Sequence, residues 1–98
     1  MVSKTFSAAL QFSAPIFLTN GRTMAISLSG TFSATIQIQR LIKAEGDSSY
    51  PAHDDAGWQT VNSLTAVTED QVTKGDNCWY RGYCSVYASG SPVLRMRI

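Results

Sequence analysis

The sequence has 98 residues and a mass of 10.7 kDa, the size of one small domain. Charged residues make up only 15% of it, against about 25% in a typical soluble domain, and the formal net charge is +1. On balance, therefore, the electrostatic footprint of a nucleic-acid binder, a concentrated basic patch, is absent. No apolar run reaches the roughly 18 to 20 residues of a membrane-spanning helix, and residues 1–14 lack the continuous apolar core of a signal peptide. The expectation is one soluble domain over residues 1–98, made in the cytoplasm, with a Ser/Thr-type surface or a surface partly buried against partners.

Period-2 alternation of apolar and polar residues dominates the chain and predicts half-buried antiparallel strands. Residues 6–12 place Phe6, Ala8, Leu10 and Phe12 on one face. Residues 15–19 (PIFLT) start at a proline, which suits an edge strand. Asn20-Gly21 follows and is the strongest short hairpin signal in the chain. Next come Met24, Ile26 and Leu28, a Ser29-Gly30 turn, and then Ala34, Ile36 and Ile38 facing away from Thr35, Gln37 and Gln39. Residues 44–57 (AEGDSSYPAHDDAG) form the one long irregular segment, predicted to be a surface loop.

Residues 59–73 contain helix-spaced valines, but their threonine content favours strand, with 64–68 (LTAVT) rich in β-formers. Lys74-Gly75-Asp76-Asn77 reads as a turn. Residues 78–88 (CWYRGYCSVYA) read as a central strand. One face carries Cys78, Tyr80, Gly82, Cys84 and Val86; the other carries Trp79, Arg81, Tyr83, Ser85 and Tyr87. Gly82 marks a bulge or a close packing contact. After a turn at 89–92, Leu94, Met96 and Ile98 alternate with Val93, Arg95 and Arg97. Seven or eight short strands in regular succession predict an all-β fold, a single antiparallel β-sandwich of jelly-roll type.

Chemistry is sparse. Cys78 and Cys84 are six residues apart on a predicted strand, about 20 Å at ~3.3 Å per residue. A disulfide needs Cα atoms within about 7 Å, so two reduced thiols are expected. One histidine, His53, and two separated cysteines do not supply four zinc ligands. His53-Asp54-Asp55 could contribute to a metal site but reads first as a solvated loop. No GxSxG, GxGxxG or P-loop pattern occurs, and Asp54-Asp55 and Glu69-Asp70 are adjacent pairs whose side chains diverge on a strand. The expectation is a non-enzymatic protein without cofactor. Binding has more support. The stripe of Trp79, Tyr83 and Tyr87 with Arg81 holds the residue types that anchor interfaces, and Tyr50, His53, Asp54 and Asp55 in the long loop are further partner-binding candidates. Trp58 and Tyr80 read first as core, although Trp58 with Tyr83 and Tyr87 could also form a sugar-stacking platform.

The order of the pieces resembles a family. Residues 29–40 (SGTFSATIQIQR) are similar to the SGTxxGTVxLQRS strand pair of many small tailed-phage proteins. Residues 57–61 (GWQTV) take the place of a Trp-led strand. The run from Trp79-Tyr80-Arg81 through residues 87–90 (YASG) to 93–97 (VLRMR) is similar to YYRxxVxxYTSGTVxVRL. The likeness covers roughly residues 23–98. It departs at residues 42–57, an insertion-like loop where the family has a short SxDGG turn, in the two cysteines, and in Ser33-Ala34 where Gly-Thr is common. The resemblance implies a virion structural protein of bacteriophage, a capsid decoration or cement protein on the exterior of the head. Its implied partner is the major capsid protein, with a homo-oligomer, dimer before trimer, and neither nucleic acid nor membrane as partners. A tail, neck or fibre module and a carbohydrate-binding module are the alternatives.

Overall fold

The structure, a computed structural model, describes residues 2–19, 21–41, 57–73 and 78–98. They form eight strands: β1 (Val2–Thr5), β2 (Ile16–Leu18), β3 (Thr23–Ser29), β4 (Phe32–Leu41), β5 (Gln59–Leu64), β6 (Thr68–Thr73), β7 (Cys78–Gly90) and β8 (Val93–Arg97). Two four-stranded sheets result, ordered β1-β8-β3-β6 and β2-β7-β4-β5, with every pairing antiparallel. The strand order is that of a jelly roll, so the chain is the all-β sandwich its alternation predicts. β8 lies between β1 and β3, and β7 between β2 and β4, so the last two strands are interior to their sheets.

The core follows directly from the alternation. Met24, Ile26 and Leu28 of β3 meet Ile36 and Ile38 of β4, Cys78, Tyr80 and Cys84 of β7, and Leu94 and Met96 of β8. All are buried, which is the main source of stability at roughly 25 cal/mol per Å² of apolar surface removed from water. Gly82 is a close-packing glycine: a Cβ there would run into the Leu94 side chain of the facing sheet. Both cysteines are buried thiols, as their spacing predicts. Burial pushes the Cys84 thiol up, away from the reactive thiolate. Tyr80 is fully buried and its hydroxyl has no partner in hydrogen-bonding geometry. Its pKa is pushed up to about 12, first by burial and then by the neighbouring Cys78 thiol, with Arg40 opposing.

Four sequence expectations are corrected. Residues 6–12 are not one strand. Phe6 is core, but the chain then turns; Leu10 sits in the left-handed region at φ 66 and is exposed, and Phe12 makes an isolated bridge to Tyr83. Gln11 fixes the turn: its Oε1 accepts from Ser7 N–H at 2.8 Å, and its Nε2 donates to Ser7 Oγ at 3.2 Å.

The chain does reverse near Gly21, which sits at φ 81, and Arg22 N–H donates to Thr19 C=O at 3.1 Å. The reversal is not a hairpin, because β2 and β3 belong to different sheets. Residues 65–67 connect β5 to β6 instead of forming a strand. Finally, β7 does not keep one phase. Its register against β4 shifts between Ser33 and Ala34 and again between Thr35 and Ile36, so Ser85 and Ala88 are extra residues. After the bulge at Ser85, Val86 is exposed and Tyr87 packs against the core, the reverse of the predicted faces. The Cys84 thiol donates to Val86 C=O at 3.4 Å inside the first bulge, and the Tyr87 hydroxyl donates to Gly90 C=O at 2.6 Å across the second.

Candidate functional site

The outer face of the β2-β7-β4-β5 sheet carries an unusual group of side chains. Trp79, Arg81 and Tyr83 alternate outward along β7, opposite Leu41, Gln39 and Gln37 of β4. Residues 10–13 extend this sheet beyond β2. Leu10 N–H donates to Cys84 C=O at 2.7 Å, Cys84 N–H to Gln11 C=O at 2.9 Å, and Ser13 N–H to Gly82 C=O at 2.9 Å. The Ser13 hydroxyl accepts from Gly82 N–H at 2.8 Å, so this buried serine substitutes for a strand residue at the interruption. That segment brings Phe12 onto the outer face, where its ring stacks on Tyr83 with centroids 4.6 Å apart and planes at 22°.

Arg81 is the centre of the group. Its guanidinium carbon lies 4.1 Å from the Phe12 ring centroid and 4.2 Å from the Trp58 ring, so two aromatic faces flank one planar cation. Its Nε–H donates to Gln39 Oε1 at 2.8 Å. Only 5% of the residue is exposed, although it points away from the sandwich core. Burial lowers the guanidinium pKa, and nearby Tyr83 works against that fall. Arginine starts so high that it stays charged. Farther along the strand Trp79 packs at a tilt on Phe17, with centroids 5.0 Å apart and planes at 53°. Leu41, in register with Trp79, is buried outside the main core. At the β5 side the Thr60 hydroxyl donates to Gln37 Oε1 at 3.0 Å.

Of the residues singled out from the sequence, Trp79, Arg81 and Tyr83 thus share one face, and Tyr87 is on the opposite, core-facing side. Tyr50, His53, Asp54 and Asp55 lie outside the described residues, as do most of the long loop and the turn at 74–77. Trp58, read first as core, instead covers Arg81 on the outer face. Sequence reasoning missed Phe12 and Phe17 as members of the group, and it treated Gln37 and Gln39 only as polar alternation. The available signal was the density of Phe, Trp and Tyr near a polar-faced strand. Its partners cannot be paired without the register.

The arrangement offers stacking surface, a fixed positive charge and amide hydrogen bonding, which are the means of non-covalent association. Among the described residues, no group of three or more His, Cys, Asp or Glu is placed to hold a metal ion. Compared with known proteins, the chain matches no family model, no curated protein and no solved structure.

Proposed function

We propose that this protein is a non-enzymatic structural component of a tailed-phage virion. It is a decoration protein that binds the exterior of the capsid, bridges neighbouring capsomers through the major capsid protein, and is made in the host cytoplasm. The observation that carries the reading is the outer-face layer of Phe12, Trp58, Arg81 and Tyr83, with Trp79 beside it. Aromatic residues and arginine are the types that dominate protein interfaces, and here they are arranged on a sheet face that the sandwich core does not need. The family-like order of motifs supports the same reading. Repetition over a shell lets a small contact of this kind hold by avidity.

The test is to count copies of the protein per particle against the major capsid protein. A high copy number fixed by the symmetry of the head is expected. Trp58→Ala and Tyr83→Ala should lower occupancy while the free protein still folds. A handful of copies located at one vertex would instead favour a tail or neck module. Binding of the free protein to glycans, lost in Trp58→Ala, would favour a carbohydrate-binding module. The separation of Tyr87 from Trp58 and Tyr83 makes the proposed sugar platform smaller than the sequence suggests.

A further inference from the structure

We propose that β5 is the strand through which two copies of this chain join. The two strands would run antiparallel across a twofold axis and fuse the two β2-β7-β4-β5 sheets into one continuous sheet. β5 ends its sheet, and among the described residues nothing pairs its outer side. Five of its six residues are exposed. From residue 57 to residue 68 (GWQTVNSLTAVT) the chain carries no charge and no proline. Val61 and Val67 are exposed at 45% and 65%. An exposed edge of β-forming, uncharged residues is a ready template for another strand, and natural edges are normally guarded by lysine, proline or other charge.

The other edges show such guards. β6 carries Glu69 and Asp70, so pairing with its own copy would bring carboxylates together. β1 is four residues long and includes Lys4. β2 is three residues long and follows Pro15. β5 is therefore the described edge that is both long enough and uncharged enough to meet itself, and an isologous contact across a twofold axis needs one such self-compatible surface.

β5 has two local guards, neither of them a charge. Ser63 N–H donates to Asn62 Oδ1 at 2.9 Å, so the side chain occupies a backbone donor that a second strand would use. A register shift opposite Ile38 and Gln39 adds a bulge that leaves Val61 extra. Both features limit the strength of pairing, and a six-residue edge buries less than the roughly 1,600 Å² of a standard interface. The dimer is therefore weak and reversible in free solution and is strengthened where many copies sit side by side. The inference concerns the isolated chain and does not depend on a place in the virion.

The experiment is analytical ultracentrifugation of the purified full chain from micromolar to millimolar concentration. A monomer–dimer equilibrium is expected. Val61→Lys with Ser63→Lys should weaken association by about tenfold or more while thermal unfolding is unchanged. Asn62→Ala, which releases the Ser63 N–H, should tighten it. A wild-type chain that stays monomeric across the whole range overturns the proposal. So does a dimer indifferent to the two lysines, or one that Asn62→Ala fails to tighten.

Discussion

The two outer faces of the sandwich are built on the same strand geometry but finished differently. Over the β2-β7-β4-β5 sheet the outward positions hold Trp79, Arg81, Tyr83, Gln37 and Gln39, and the chain before β2 contributes Phe12 to cover them. Over the β1-β8-β3-β6 sheet the outward positions of β3 are Ala25, Ser27 and Ser29, in register with Arg97, Arg95 and Val93 of β8. There Arg95 and Arg97 are exposed, and the Arg95 guanidinium donates to Ser29 Oγ at a long 3.5 Å. An arginine on an outer strand position is thus a clamped, buried element on one face and a solvated charge on the other. Strand periodicity decides which way a side chain points. What decides its energetic weight is whether large rings stand beside it.

Four experiments would break or sharpen that comparison. The inner face sets the scale: Tyr80→Ala should cost roughly 3 to 5 kcal/mol, as for other large buried rings, and leave little folded protein in a chemical denaturation series. Its neighbour Arg81 points the opposite way, yet Arg81→Ala should still cost about 2 kcal/mol, because a desolvated cation between two rings and its hydrogen bond to Gln39 are lost together. A loss as small as that of a surface residue would put Arg81 on a par with the arginines of the other face.

The third experiment uses pH. The folded Tyr80 phenol holds its proton to about 12 and the unfolded one to 10.0. Between those values the unfolded chain binds fewer protons than the folded one, so stability present below pH 10 falls as pH rises through the window. The stability gap between the wild type and Tyr80→Phe should therefore stay constant up to about pH 10 and widen above it in favour of the phenylalanine variant. Parallel curves would show that the inner face contributes nothing to the alkaline limit. The smallest effect belongs to the other outer face: Arg97→Ala should change stability by no more than about 0.5 kcal/mol in the same denaturation assay.

The parts of the fold legible in the sequence are those where alternation is uninterrupted. Met24, Ile26 and Leu28 declare their common face because nothing intervenes between them, and Leu94 and Met96 do the same. The failures lie where a local pattern continues through a change of backbone. Ala8 and Leu10 keep the rhythm of Phe6 and Phe12, but the Gln11–Ser7 contacts and the left-handed Leu10 turn the chain between them. The bulge at Ser85 is a property of β7 against β4, so no pattern within β7 alone could exchange Val86 for Tyr87. Asn20-Gly21 specifies that the chain turns, and not which sheet receives the strand that follows. The candidate site was half legible for the same reason. Trp79, Arg81 and Tyr83 share a face by spacing, whereas Phe12 and Trp58 reach Arg81 from distant parts of the chain.

The position of β8 has a consequence for how the protein is made. It is the last of the eight strands to leave the ribosome, yet it fills the gap between the first strand and the third. A nascent chain that has reached the end of β7 already possesses every strand of the β2-β7-β4-β5 sheet. Its other sheet then consists of β3 and β6 alone, with β1 left unpaired and one side of the apolar core open to water where Leu94 and Met96 belong. Completion of this fold therefore waits for β8 to emerge. A chain stalled before β8 emerges carries exposed sheet edges that invite capture by chaperones or by one another.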